Sequence, residues 1–258
     1  MSGHSHFSTI KRKKELTDKK RGQIFSKITR TITIAVKEGG GDPAANSKLR
    51  LAIEAAKNAN LPKENVERAI KRGTGELADE KLEEFTFEAF GPQGIAIIIE
   101  GITDNKNRAL GEIKQILSQN GGKLANEGSV RWLFEKKGVI TINPNDQTPR
   151  LPSAIAEGDG GQTITKNKEE LELMAIEAGA EDIYWQENLL DIYTKTENLE
   201  TVKKTMEGKG IKIESASLGW VAKETVDIDK KSRDAAEKIF EILDESDSVQ
   251  DIYSNLKS

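Results

Sequence analysis

The residues best suited to catalysis in this chain are two histidines, His4 and His6, separated by a single residue. Two imidazoles at this spacing could bind a metal ion together. The chain has no other histidine and no cysteine, so carboxylates would have to complete such a site, and a Ser-His-Asp arrangement would have to use one of the same two histidines. The absence of cysteine also excludes disulfides and thiolate nucleophiles. We therefore expect no bound metal and no catalytic residues.

The run Gly39-Gly40-Gly41 is a second stretch with possible chemistry, because glycine-rich turns can hold phosphate groups. The phosphate loop of nucleotide hydrolases continues with lysine and a hydroxyl residue, whereas Asp42-Pro43 follows here. Glycine also ends helices, since it adopts the left-handed conformation easily. We predict helix termination at this point. No other motif indicates a cofactor or a small-molecule substrate, and we predict that the protein is not an enzyme.

The remaining side chains with a clear chemical tendency are basic, and they are concentrated near the amino terminus. Residues 1–75 hold 17 lysines and arginines against 7 acidic residues, a net charge of +10, whereas the rest of the chain carries −14. Such an asymmetry predicts that the basic end binds a polyanion, although a solvated helix surface is the alternative. We predict nucleic-acid contacts at Lys11, Arg12, Lys13, Lys14, Lys19, Lys20, Lys27, Arg30, Lys37, Arg68, Lys71 and Arg72.

Three amphipathic helices are predicted to carry these basic residues. Apolar residues from Ile24 to Val36 recur at helical spacing and gather into one stripe, and shorter stripes follow at residues 49–56 and 66–70. Short amphipathic helices bury their stripes only against one another, so we predict a small helical bundle. The first helix has an opposite face that we expect to point to solvent, formed by Lys19, Lys27, Arg30 and Lys37.

From residue 82 onward the apolar spacing changes to the alternation typical of half-buried strands, most clearly in residues 83–90. A buried strand at residues 95–102 and a helix at residues 107–120 follow. Further strands are predicted at residues 130–134 and 139–142, joined by a polar turn at residues 135–138. The tryptophans all lie in such strand contexts, where we expect core or sheet-face positions: Trp132, Trp185 and Trp220.

The last predicted helix and strand have no neighbouring elements in the sequence against which they could pair or pack, and the predicted topology follows from this. The last predicted helix and strand, at residues 233–243 and 249–253, should return to the sheet begun at Phe85. The predicted fold class is α+β multidomain: an N-terminal three-helix domain followed by two α/β (ferredoxin-like strand-helix) domains, the third inserted into the second. The predicted boundaries are residues 1–75 for the basic helical domain, 76–137 with 222–258 for the central α/β domain, and 138–221 for the inserted α/β domain with a flexible loop at 143–168.

The chain carries no signal for a membrane or for secretion. Its longest strongly apolar stretch is residues 95–99, far shorter than the roughly 20 residues that a membrane helix needs. Charged residues begin at Lys11, before any apolar run of a secretory signal could form. We therefore expect a cytoplasmic protein without membrane contact.

Short stretches along nearly the whole chain together form a recognisable pattern. They include Gly3-His4-Ser5, Lys19-Lys20-Arg21-Gly22, Gly39-Gly40-Gly41-Asp42-Pro43-Ala44, Ala69-Ile70-Lys71-Arg72-Gly73, Phe90-Gly91-Pro92-Gln93-Gly94, Asp104-Asn105-Lys106-Asn107-Arg108, Gly128-Ser129-Val130, Ala175-Ile176-Glu177-Ala178-Gly179 and Val249-Gln250-Asp251-Ile252-Tyr253. In this order they resemble the YebC/PmpR family of bacterial regulators, whose relatives include the mitochondrial translational activator of cytochrome c oxidase subunit I. His6-Phe7 stands where Lys-Trp is usual in that family, and residues 143–168 are longer than expected.

The resemblance implies a three-domain α/β architecture and a role in gene expression without catalysis. Members are described as DNA-binding transcriptional regulators, and others as ribosome-associated factors that assist translation, including through proline-rich stretches. We predict a DNA-binding transcriptional regulator, with a ribosome-associated translation factor bound to ribosomal RNA as the alternative. A protein-binding adaptor that uses the acidic domains is a third hypothesis. DNA and RNA present the same phosphate, so the sequence leaves this choice open.

Overall fold

The computed structural model describes residues 18–77, 81–146, 168–186 and 188–257. The chain divides into a first unit, made of residues up to 135 together with those from 221, and a second unit of residues 136–220. His4, His6 and the basic run at residues 11–14 lie outside the described residues, as does most of the predicted loop at 143–168. The predicted three-domain boundaries stay a prediction.

The described chain begins with three helices, and the later helices lie between single strands or pairs of strands. The helices are α1 (Asp18–Gly39), α2 (Ser47–Asn58), α3 (Lys63–Gly73), α4 (Lys106–Gln119), α5 (Lys168–Ala178), α6 (Leu199–Gly208) and α7 (Lys230–Asp244). The strands are β1 (Glu83–Phe90), β2 (Ala96–Thr103), β3 (Lys123–Leu124), β4 (Phe134–Ile142), β5 (Asp182–Gln186), β6 (Leu189–Thr194), β7 (Ser215–Ala222) and β8 (Val249–Ser254). The predicted fold class is confirmed, including the insertion of one α/β part into the other.

Helices α1, α2 and α3 form a helical bundle in which the predicted apolar stripes meet. The most deeply buried positions are Ile32, Leu49 and Ala56, none of which exposes any surface. Phe25, Ile28 and Val66 pack against them from the edge of this core. The predicted three-helix arrangement is therefore confirmed, and its stabilisation comes from burying one apolar stripe per helix.

The corner between α1 and α2 explains the glycine run at residues 39–41. Gly40 has a φ of +81°, a conformation that glycine adopts without strain. Asn46 caps α2 by accepting a hydrogen bond from the backbone N–H of Leu49 at 3.0 Å, and its amide donates to the carbonyls of Ala35 at 2.7 Å and Gly40 at 2.9 Å. A Cβ at Gly39 would lie only 2.6 Å from the Asn46 amide nitrogen. The prediction of helix termination is confirmed.

The first unit contains a four-stranded antiparallel sheet in the order β3-β1-β2-β8. In the pairing of β2 with β8, Ile99 lies opposite Ile252, so the predicted return of the carboxy terminus to this sheet is confirmed. Helices α4 and α7 cover one face, and their apolar side chains, such as Ile113 and Phe240, join the sheet residues in one core. Helix α1 contacts β2 as well.

The second unit contains a sheet in the order β5-β6-β4-β7, with α5 and α6 packed against each other. Its central strands β4 and β6 are antiparallel and place Ile140 opposite Ile192, both fully buried. The polar turn predicted at residues 135–138 is wrong, because β4 continues from Phe134 to Ile142 without a break. A strand tolerates polar residues where its side chains reach solvent, and Glu135 and Lys136 are exposed.

The strand predicted at residues 130–134 is also wrong, because residues 131–133 form a turn of 3-10 helix. The buried carboxylate of Glu88 accepts hydrogen bonds from the backbone N–H groups of Gly128 and Val130, both at 2.7 Å, and of Arg131 at 3.1 Å. Burial opposes ionisation of Glu88, but these three donors and the Arg131 guanidinium outweigh it and lower its pKa. Trp132, expected at a core or sheet-face position, is 66% exposed on this turn.

Within the described residues, no helix is both long and apolar enough to cross a membrane. The same residues contain no group of three or more carboxylate or imidazole side chains arranged to hold a metal ion.

Gly101 of β2 has neighbouring atoms so close that a side chain would not fit, and its replacement tests the packing of the first sheet. A Cβ there would overlap the Ser248 carbonyl oxygen and the Phe85 ring, at the point where the register between β2 and β8 shifts. We expect Gly101→Ala to lower the free energy of unfolding by about 1–3 kcal/mol or more. Gly111→Ala, on an open position of α4, should raise it by about 0.5–1 kcal/mol. Urea denaturation measures both, and equal effects would contradict the packing described here.

Candidate nucleic-acid interface

The twelve predicted contact residues separate into groups once the structure places them. Lys11, Arg12, Lys13 and Lys14 lie outside the described residues. Lys19 and Lys20 belong to the first turn of α1. The structure describes the side chains of the others, which are Lys27, Arg30, Lys37, Arg68, Lys71 and Arg72.

Lys27 does not point to solvent, so its predicted place on an outward face is wrong. Its side chain is only 6% exposed, and its ammonium group donates to the backbone carbonyl of Asp244 at 2.7 Å and to the Asp244 carboxylate at 3.0 Å. Asp244 is the last residue of α7, where the unsatisfied carbonyls of a helix favour a positive charge. Lys27 therefore holds the helical bundle against the end of α7.

Two further residues of α1 make contacts of the same kind. Gln23 donates from its side-chain amide to the backbone carbonyl of Glu245 at 3.0 Å, and Arg30 donates to that of Asp247. Gln23, Lys27 and Arg30 are spaced four and three residues apart, so they share one side of the helix. We call these three residues the α1 polar stripe. Because the stripe binds backbone carbonyls at the end of α7 and just after it, Lys27 and Arg30 connect the helical bundle to the part of the first unit that contains α7 and its sheet.

Arg68 and Arg72 are placed differently, in a shallow groove between α1 and α3. The groove has a volume of about 180 Å³ and is lined by Thr29 of α1 and by Asn65, Arg68, Ala69 and Arg72 of α3. The two arginines are four residues apart on one side of α3. The hydroxyl of Thr33 donates to the carbonyl of Ala69 at 3.2 Å, which fixes α3 against α1. We call this the Arg68–Arg72 groove.

The chemistry of the groove matches a phosphate group. A guanidinium presents several N–H donors in a fixed plane and binds phosphate oxygens in pairs. Asn65 and Thr29 add uncharged polar groups, which the sequence prediction did not include. Asn65 could have been found from the sequence, since it lies one helical turn before Arg68 and Ala69 and therefore on the same side of α3. Thr29 belongs to another helix, and only the packing of α3 on α1 brings it to the groove.

Other basic residues extend the positive surface of the helical bundle. Lys37 and Lys71 are exposed as predicted, and Lys57 and Lys63 are exposed cations that the prediction left out. Some of this charge is neutralised locally. The Lys48 ammonium lies 2.5 Å from a Glu38 carboxylate oxygen, and this hydrogen bond raises the pKa of Lys48. Lys63 lies 3.4 Å from Glu67.

The fold and this interface define a multidomain α/β protein with a basic helical module at its amino-terminal end. The chain belongs to the TACO1/YebC family. The family model for the TACO1/YebC N-terminal domain matches residues 5–76, and the model for the TACO1/YebC second and third domain matches residues 82–256. The resemblance drawn from the sequence is thereby confirmed.

Similar proteins span the chain from end to end. The probable transcriptional regulatory protein TTE1135 of Caldanaerobacter subterraneus subsp. tengcongensis is 46% identical, and the alignment covers 100% of this chain and 98% of the relative. A probable transcriptional regulatory protein of Halothermothrix orenii is 43% identical over 99% of this chain and 94% of the relative. The crystal structure of the conserved hypothetical protein Aq1575 from Aquifex aeolicus superposes with a TM-score of 0.85 at 39% identity, over 98% of this chain and 97% of that protein.

The α1 polar stripe predicts a stability effect that solvated lysines lack. We expect Lys27→Met to lower the free energy of unfolding by about 1.5–3 kcal/mol, because a buried charge-assisted hydrogen bond to the end of α7 is lost. Lys57→Met, at an exposed position of α2, should change it by less than about 0.5 kcal/mol. Chemical denaturation of the full chain measures the difference, and equal values for the two variants would contradict the assigned contact.

Proposed function

We propose that this protein is a non-catalytic, cytoplasmic regulator of gene expression that binds duplex DNA through its helical bundle. Three features support the proposal: the concentration of basic residues in residues 1–75, the Arg68–Arg72 groove, and the family, whose curated relatives carry the name probable transcriptional regulatory protein. The groove is the observation that carries it, because it joins two guanidinium groups with the uncharged polar side chains of Thr29 and Asn65 at one place.

The binding should depend mainly on phosphate rather than on base sequence. In the described part of the bundle, exposed lysines and arginines outnumber exposed carboxylates, and residues able to read base edges, such as Asn65, are few. Contacts of this kind release counterions, so affinity falls steeply as salt rises. If about six phosphates are neutralised, the affinity should drop on the order of a thousandfold between roughly 50 and 200 mM salt.

Replacing both arginines of the groove tests its role. We expect Arg68→Gln with Arg72→Gln to weaken binding of the full chain to duplex DNA by about tenfold and to lower the slope of log affinity against log salt by about 2. The control is Lys57→Gln with Lys63→Gln, which removes the same charge elsewhere on the bundle. Fluorescence anisotropy measures both variants. Equal losses would show that only overall charge matters, and they would remove the groove from the proposal.

A second candidate function is a ribosome-associated translation factor that binds ribosomal RNA and eases translation of proline-rich stretches. The observation that favours it is the α1 polar stripe, which turns one polar side of the longest described helix toward the sheet domain. That helix is therefore poorly suited to enter the major groove. The acidic remainder of the chain would also be repelled by a long DNA duplex.

Direct competition at one salt concentration separates the two candidates. The full chain is first bound to labelled duplex DNA. This complex is then titrated separately with unlabelled duplex DNA, a structured RNA and purified ribosomes. The DNA-binding proposal expects unlabelled duplex to displace the label at lower concentrations than either competitor. Displacement by ribosomes at far lower concentrations, together with co-sedimentation, would replace it with the second candidate.

A further inference from the structure

Helix α5 of the second unit is apolar on two opposite sides. Leu171 and Ala175 are fully buried and hold the helix against its own unit. Leu173 and Ile176 lie on the other side, at about 100° of rotation per residue, and they are 57% and 59% exposed. A helix that is apolar on both sides is normally covered on both sides. The exposed pair therefore marks a surface that a partner would cover.

Carboxylates surround this exposed pair. Glu169 lies one helical turn before Leu173, and Glu172 and Glu177 flank the pair on either side of the helix. We call Glu169, Glu172, Leu173, Ile176 and Glu177 the α5 outer face. Its position in the second unit places it apart in sequence from the basic residues of the helical bundle.

Two of these carboxylates are held in place by the rest of the second unit. The indole N–H of Trp185 donates to the Glu172 carboxylate at 2.5 Å, and the Lys209 ammonium lies 2.7 Å from that of Glu177. Both contacts fix side chains along the edges of the apolar pair. The acidic border is thus part of the folded surface, and a partner would meet a largely pre-formed site.

We propose that the α5 outer face docks a cationic amphipathic helix of another protein. Two aliphatic side chains offer the anchors that an apolar helix face requires, and the acidic border is complementary to lysine and arginine on either side of such a face. An acidic segment would meet like charge along this border, most directly at Glu169 in the first turn of α5. This surface and the proposed nucleic-acid site share no residue, so either proposal can fail without the other.

The probe for this site is a fluorescein-labelled 18-residue peptide with leucine along one helix face and lysine elsewhere, titrated with the full chain. We expect saturable binding that Leu173→Gln with Ile176→Gln weakens at least about tenfold. Glu169→Lys should weaken it also, and it leaves the apolar pair intact if the double variant fails to fold. Leu77→Gln, at an exposed apolar residue of the first unit, is the matched control and should bind as the unsubstituted chain does.

Several outcomes would overturn the proposal. One is equal affinity for the double variant and the unsubstituted chain, and another is unchanged affinity when glutamine replaces every leucine of the peptide. If sedimentation shows a dimer that the double variant dissociates, the occupant is a second copy of this chain. If replacing residues 147–167 with a glycine-serine linker raises peptide affinity, the occupant is that segment.

Discussion

The antiparallel pairing of β2 with β8 is the contact on which the rest of the first unit depends. β2 lies between β1 and β8, and its isoleucines at positions 97, 98 and 99 are completely buried. Because β8 comes from the end of the chain, this pairing closes a very long loop and has to be stabilised by the core that it completes. The same pairing brings α7 onto the sheet, and the last turn of α7 is where Lys27 binds. The helical bundle is therefore attached at a site that forms only when the α7–β8 segment has docked on the sheet.

Lys27 shows why residue type alone does not define a binding surface. An ammonium group loses hydration when it is buried, and only good partners offset that cost. The carbonyl and carboxylate of Asp244, at the negative end of a helix, supply such partners. Arg68 and Arg72 belong to the same bundle but line an open groove. What packs against each helix face thus decides whether a basic residue of the bundle is buried in a contact or lines a groove.

The second unit has a different surface character. Its exposed apolar pair, Leu173 and Ile176, is bordered by carboxylates, whereas the helical bundle is rich in lysine and arginine. Surfaces of opposite charge attract different classes of partner, since each repels what the other attracts. The two proposals together describe a protein that would connect a nucleic acid to a protein partner.

The sequence by itself determined the helices of the bundle and the glycine corner at residues 39–41, because apolar periodicity and glycine conformations act locally. It also indicated the return of the last strand, because that strand has no partner nearby in the sequence and a strand needs one. Only the tertiary structure decided the conformation of residues 130–138. There Glu88 accepts hydrogen bonds from the backbone N–H groups of Val130 and Arg131, and Trp132 is exposed. The burial of Lys27 was likewise decided by Asp244, which lies far along the chain. A helical wheel identifies which residues share a face, but the element that packs against that face is set by distant parts of the sequence.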